Sequence, residues 1–201
     1  MSKQLDPIVD FLFEVGILAK TPRSGFYFLG SGSQSVAEHI NRVSFIGFVL
    51  ASMRKEVDSD KILKMCLFHD LAESRTSDLN HLHQKYAFTQ EDRVIDDIAK
   101  SLPFGKEIQT LIEEYEQRKT AEAILAKDAD TLEYLLSVKE QQDTGNDRAK
   151  ALLPEIVKRL KTPEGKRLAK KIQRTDSDRW WFFKSDDAWW IEQGGKNRKP
   201  E

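Results

Sequence analysis

Apolar residues recur along most of this chain at steps of three and four, the spacing that gathers them on one side of an α-helix. Ile8, Phe11, Leu12, Val15 and Leu18 make the first such stripe, with Asp6 as its N-cap and Pro7 in its first turn. Pro22 and Gly25 stop that helix, and Thr21 to Gln34 reads as a loop with a flexible turn at Gly30-Ser31-Gly32-Ser33. Ser35 and Glu38 form a capping box. It opens a helix to about Arg54 that turns Ile40, Val43, Gly47 and Leu50 inward. The pattern then predicts a helix from about Asp60 to Ser74, and another from a Thr89 cap to Leu102, broken by Pro103 and Gly105. Lys106 to Lys119 carries Ile108, Leu111, Ile112 and Tyr115. Thr120 opens the longest helix, whose core side holds Ile124, Leu125, Leu132, Leu135 and Val138 and which ends at Thr144-Gly145-Asn146. Asp147 to Lys161 contains Pro154, which predicts a kink or break, and Thr162-Pro163 restarts helix through Gln173. No stretch alternates convincingly with a period of two and no repeat is present, so the expected fold class is all-α.

The length of 201 residues suits one domain with a sizeable core. Lysine and arginine total 32 against 33 acidic residues, so no domain-wide basic excess is available for a nucleic acid polymer. The single cysteine, Cys66, sits inside an apolar run and reads as a small core residue. One cysteine excludes a disulfide framework within the chain and fits a reducing compartment. No apolar run is long enough to span a bilayer, and the first residues lack the pattern of a signal peptide. The expectation is a cytoplasmic protein that meets no membrane. Residues 1–183 read as the domain and 184–201 as an aromatic and polar tail. Within this region Trp180 and Trp181, with Phe182 and Phe183, are expected to pack back on the domain. Trp189 and Trp190 either do the same, cover a dimer surface, or sit loosely.

Chemistry concentrates in Ile62 to Asp78. An apolar run there ends in His69-Asp70, with Glu73 one turn later and Asp78 beyond it. A lone His-Asp pair is more often a core histidine beside a capping aspartate. Two further residues change that reading. His39 falls in the first turn after the capping box, and Asp130 interrupts the apolar centre of the longest helix. Two imidazoles and two carboxylates on three helices make a mixed nitrogen and oxygen donor set. Such a set suits Mn, Fe, Co, Ni or Zn more than Ca, and leaves one or two positions of a six-coordinate ion open. Asp128 lies about 200 degrees around the helix from Asp130 and is left out. Arg23 is the only cation of the loop before His39 and neighbours Phe26, Tyr27 and Phe28, which marks a candidate binding loop. No phosphate-binding glycine loop, dinucleotide fingerprint or serine nucleophile elbow is present.

His39, then His69-Asp70, then Asp130 within Lys127-Asp128-Ala129-Asp130-Thr131-Leu132-Glu133, resembles the H…HD…D signature of the HD-domain metal-dependent phosphohydrolases, over about Pro7 to Val138. Thr21 to Gly25, Ser35 to His39, His69 to Glu73 and Ser77-Asp78 make it most similar to the 5'-deoxynucleotidases of the YfbR and HDDC2 kind. There are two departures: Ser77 stands where glycine is common, which is mild if the backbone has negative φ, and Phe26-Tyr27 stand where the family often places tryptophan. The resemblance implies a helical HD domain, a homodimer, and a divalent ion (Mn, Co, Fe, Ni, Zn or Mg) on His39, His69, Asp70 and Asp130. It implies Glu73 as the general acid/base for the attacking water and Asp78 as the carboxylate that orients that water or meets the sugar. Arg23 would clamp the phosphate with Lys85 as a second cation, and Phe26 and Tyr27 would face base or sugar. His81 and His83 read as loop residues. The implied activity is hydrolysis of 2'-deoxynucleoside 5'-monophosphates. Two other readings stay open: an HD hydrolase of another nucleotide ester or pyrophosphate, such as a dNTP or ppGpp, and a metal-bound binding module without turnover.

Overall fold

The computed structural model describes residues 5–181. The expectations for Phe182, Phe183, Trp189, Trp190 and the 184–201 tail lie outside these residues. Among the described residues the fold is helical, with no strand beyond an isolated antiparallel bridge between Pro22 and Ser35. No helix among them is long and apolar enough to cross a membrane. The helices are α1 (Asp6–Val15), α2 (Phe26–Leu29), α3 (Val36–Ser52), α4 (Ser59–Phe68), α5 (Glu73–Thr76), α6 (Glu91–Ser101), α7 (Gly105–Gln117), α8 (Ala121–Asp143), α9 (Asp147–Val157) and α10 (Pro163–Ile172).

The longest helix, α8, is the axis of the bundle. Ala123, Leu125, Ala126, Ala129, Leu132, Leu135 and Val138 on it are wholly buried, against α3, α4, α7, α9 and α10. This is a wider apolar face than a surface helix presents, as expected of a helix surrounded by others. The crossing of α3 and α4 depends on Gly47. A Cβ there would lie 2.6 Å from the sulfur of Cys66, so any side chain would push α4 away from α3. The two histidines of the site sit on these two elements, so Gly47 sets how close they come. A second apolar cluster, built on Leu18, Val36, Ile40, Leu71, Ile95 and Ile98, closes the other side of the α5–α6 region.

The caps read from local side chains agree with the structure. Ser35 and Glu38 form the reciprocal capping box, Thr120 accepts from the amide of Ala123, and Thr162 from that of Gly165 with Pro163 at the helix start. Four expectations are corrected. Asp6 is the first residue of α1 rather than its cap, and the cap position is Leu5. Gln90, not Thr89, precedes α6, and the Thr89 hydroxyl bonds the Glu91 carboxylate instead. α9 continues through Pro154 to Val157 without a break: proline removes a donor from the last turn only. Finally, the helix expected to reach Ser74 stops at Phe68. His69 donates from Nδ1 to the Cys66 carbonyl at 2.9 Å, and the amides of Leu71, Glu73 and Ser74 bond three residues back rather than four, which tightens the chain into a turn before α5. Trp180 is 78% exposed, so its ring does not pack back on the domain.

α5 ends at Ser77, whose backbone has φ 63 and ψ 162. The mild case envisaged for serine here required negative φ, so that expectation is also corrected. This region is open to glycine at little cost and strains any residue with a Cβ by about 1–3 kcal/mol. Ser77 is exposed and its side chain packs on nothing that a glycine would lose. Ser77→Gly should therefore stabilise the chain by about 1 kcal/mol after the extra freedom of unfolded glycine is subtracted. The check is the urea midpoint of the two proteins at equal m-value; a midpoint lowered by the glycine would show that the strain is absent.

Candidate active site

The capping box fixes the first turn of α3 and so places His39, which is fully buried. Its Nδ1 donates to Glu133 Oε2 at 2.6 Å. His69, at the end of α4, donates from Nδ1 to the carbonyl of Cys66. Each Nδ1 thus gives its proton to an outer acceptor, and both Nε2 atoms face the interior. Those two nitrogens are 3.3 Å apart. Asp70 Oδ2 lies 3.4 Å from the first and 3.3 Å from the second, and Asp130 Oδ1 lies 3.2 Å from His39 Nε2.

The Nε2 atoms of His39 and His69 and Asp70 Oδ2 therefore converge at spacings that suit donors sharing a cation at bond lengths of about 2.0–2.2 Å. Ligand atoms of His39, His69 and Asp70 fall within 4.8 Å of one another. Asp130 meets the group through His39, and its other oxygen accepts from Lys127 Nζ at 2.7 Å. The residues fit a divalent ion.

The electrostatics agree. Burial works against a charge on His39, as does Arg23, but Asp130, Glu133 and Asp70 outweigh them and raise its pKa to about 9. The carboxylates favour positive charge at this point. Burial opposes ionisation of Asp70 and Asp130, yet His69, Arg23 and His39 hold the first ionised, and Lys127 with the two histidines holds the second. Glu133 is also buried, but His39 and Arg42 keep it ionised, with its pKa lowered to about 2. Glu73 differs. Burial, then Asp70 and Asp78, push its pKa up to about 10, so it holds a proton at neutral pH. Its Oε2 is buried and has no hydrogen-bond partner.

The loop before α3 is pinned rather than loose. Arg23 N donates to Gln34 O at 2.8 Å and Val36 N to Thr21 O at 2.9 Å, across the Pro22–Ser35 bridge. The bridge aims Arg23 at the site: Nη1 donates to Asp70 Oδ2 at 3.2 Å, and Nε stands 3.6 Å from Asp78 Oδ2. Asp78 accepts the Ser24 amide at 2.8 Å, and the amide of Asn80 donates to Ser24 Oγ at 2.8 Å. The segment after α5 therefore grips the loop from the other side.

These groups floor a cavity of about 520 Å³ that extends past Phe26, Phe28, Tyr134 and Leu152 to Arg148 and Arg159. Of the residues singled out in the sequence, Arg23, Phe26, Asp70, Glu73, Asp78 and Asp130 line it, with His39 and His69 behind them. Tyr27 and Lys85 do not. Tyr27 is 60% exposed because the short α2 turns Phe26 and Leu29 inward instead, and Lys85 sits on an exposed turn. His81 lines the cavity, while His83 packs edge-on against Phe28 and bonds Asn80. Sequence reasoning missed Glu133, Lys127 and Asn80. Glu133 had a signal, since it follows Asp130 by three residues and so lies one turn along the same helix.

Asp128 lies apart from the site, as expected. Its carboxylate accepts from the amides of Lys161 and Thr162 and from the Thr162 hydroxyl, joining α8 to the start of α10.

Comparison with known proteins agrees with this geometry. The family model described as HD domain matches residues 15–173. The 5'-deoxynucleotidase HDDC2 of Dictyostelium discoideum is 36% identical over 54% of this chain, and the chain spans 63% of that protein's length. The protein of the same name from Danio rerio is 29% identical over 69% of this chain and 72% of its own. Among solved structures, a conserved hypothetical protein from Pyrococcus furiosus superposes with a TM-score of 0.71 at 29% identity, covering 83% of this chain and 99% of that one. The matched span includes His39, His69-Asp70 and Asp130, and the chain belongs to the HD-domain family.

Proposed function

We propose that this chain is a metal-dependent phosphomonoesterase that releases phosphate from 2'-deoxynucleoside 5'-monophosphates. The observation that carries it is the convergence of His39 Nε2, His69 Nε2 and Asp70 Oδ2, with Asp130 against His39, beside Arg23 and the buried Glu73 Oε2, which has no hydrogen-bond partner. The relatives named 5'-deoxynucleotidase support the substrate class. His39, His69, Asp70 and Asp130 would hold a divalent ion, which would supply Lewis acidity and a more acidic water. The donor set suits Mn, Fe, Co, Ni or Zn, with Mg as a harder alternative.

The protein's own groups do the rest. Arg23 faces Asp70 and Asp78 in the resting site. Its guanidinium fork would turn from these carboxylates to the substrate phosphate. Glu73 is the proton carrier at Oε2. It gives its proton to the 5'-oxygen as that P–O bond breaks and recovers one from the attacking water, which yields alcohol and inorganic phosphate. Asp78 orients the Arg23 loop through the Ser24 amide and faces the sugar position. Phe26 and Phe28 offer ring surface for sugar and base. A cytoplasmic setting, where nucleoside monophosphates are handled, suits this chemistry.

The test is phosphate release from matched deoxy- and ribonucleoside 5'-monophosphates, after metal removal and after addition of Mn, Co or Mg. No release from any monophosphate with any metal would overturn the proposal. Glu73→Gln should keep the bound metal and lose about 10²–10⁴-fold in kcat. Metal content measured beside the rate decides the role: joint loss of both would make Glu73 a ligand. Arg23→Ala should weaken monophosphate binding by about 1.5–3 kcal/mol, read as a raised KM, with metal content retained. Unchanged kcat/KM on every accepted ester would remove Arg23 from the site.

The family resemblance implies a homodimer, and an exposed apolar face supports that reading. The stripe of α1 is only partly buried within the chain: Leu12 is 64% exposed, and Phe45, Phe48 and Leu67 on α3 and α4 are 68%, 57% and 51% exposed. They surround an apolar groove of about 950 Å³. A face of this kind is usually an interface. We assign it to a second copy of the chain. The double variant Phe45→Glu, Phe48→Glu should sediment as a monomer where the unmodified protein sediments as a dimer. A monomeric unmodified protein at micromolar concentration would remove the assignment.

A further inference from the structure

Behind His39 lies a carboxylate that the proposed reaction does not use. Glu133, on α8, is completely buried. Oε2 accepts the Nδ1 proton of His39 at 2.6 Å. Oε1 faces four donated hydrogen bonds: Gln34 Nε2 at 2.7 Å, Arg42 Nη2 at 2.8 Å, Arg42 Nε at 3.0 Å and Ser137 Oγ at 3.0 Å. Arg42 is held in turn by Glu140 at 2.6 Å. Gln34 is the residue whose carbonyl accepts the amide of Arg23, and it lines the cavity.

One side of this carboxylate thus touches a metal ligand, and the other touches the strap that carries the phosphate-binding arginine. We infer that Glu133 is a positioning residue for both halves of the site: it keeps the lone pair of His39 Nε2 turned toward the metal and, through Gln34, holds the Arg23 loop at its working distance. The inference rests on the metal-site reading above and assigns a role to residues outside the ligand set.

The donor pattern explains why a carboxylate is required. Both sides of residue 133 need an acceptor. Glutamine has the same shape but one acceptor oxygen. With its oxygen toward Arg42 and Gln34, its NH₂ meets His39 Nδ1, which must then accept, moving the ring proton to Nε2 where it blocks the metal. With its oxygen toward His39, its NH₂ faces the donors of Arg42 and Gln34. Neither orientation satisfies both halves. Gln34→Leu isolates one half, because it cuts the link to the loop and leaves the bond between His39 and Glu133 intact.

The experiment titrates Co²⁺ alone into the metal-free full-length protein by calorimetry, with thermal melts to establish folding, and then measures steady-state kinetics. Glu133→Gln should bind Co²⁺ about 10–100-fold more weakly than the unmodified chain. Gln34→Leu should keep the Co²⁺ affinity and raise KM for the monophosphate several-fold more than it lowers kcat. A folded Glu133→Gln protein with unchanged Co²⁺ affinity overturns the inference. So does an unchanged KM in Gln34→Leu, which decides the matter even where Glu133→Gln does not fold. An unmodified chain that takes up no Co²⁺ fails the metal-site reading itself, and the two failures are told apart by that first titration.

Discussion

The structure turns on a single electrostatic constraint: charges and lone pairs are gathered at one buried point, and each must be answered. Asp70, Asp130, Glu133, His39 and His69 lie on three helical segments that meet where α3, α4 and α8 cross. Apolar burial alone would never place them there, because unpaired ionised groups cost several kcal/mol each inside a protein. Arg42 answers Glu133, Lys127 answers Asp130, and Arg23 answers Asp70. The residual demand falls on the space between the two Nε2 atoms and Asp70 Oδ2, a place suited to a divalent ion. The rest of the bundle can be read as what holds that arrangement: Gly47 lets α4 approach α3, and the small residues Ala126 and Ala129 let neighbours close on α8.

This constraint explains which parts were legible in the amino-acid sequence. Helix starts with their own capping side chains were readable, since Ser35, Thr120 and Thr162 act within three residues of themselves. The candidate ligands were readable because polar groups interrupt apolar helical faces at His39, His69-Asp70 and Asp130. The end of α4 was not. It depends on a side-chain bond from His69 to the Cys66 carbonyl and on a tight turn of three-residue hydrogen bonds after it. The side chains that α2 gives to the cavity were misread for a related reason: four residues carry no usable period, and Phe28 rather than Tyr27 joins Phe26 in its lining.

Ser77 and Glu133 show two different limits. Ser77 has a backbone conformation suited to glycine, which no local pattern announces, because the loop is pulled into place by the grip of Asp78 and Asn80 on Ser24. Strain beside a site is common, since tertiary contacts can over-determine a short connection. Glu133 carried a signal in its spacing from Asp130, but an acidic residue on a helix is usually solvated. Only the tertiary position of Arg42, ninety-one residues earlier, shows that this one is buried.

The two faces of α3 complete the argument. One face presents His39 and Arg42 to α8, and every polar group there has a partner. The other presents Phe45 and Phe48 to an apolar groove that the chain itself leaves open. Both properties follow from helical periodicity, since residues three and six positions after Arg42 are rotated about 300 and 240 degrees around the axis from it. α1 shares the second face: Ile8 and Phe11 pack on the inner cluster, while Leu12 and Val15 stay exposed. An amphipathic helix covered on only part of its stripe would gain stability from a partner on the rest. Covering that face with a second copy would also restrain α3 from behind, and α3 carries His39 of the candidate metal site. Assembly and catalysis would then be linked through one helix.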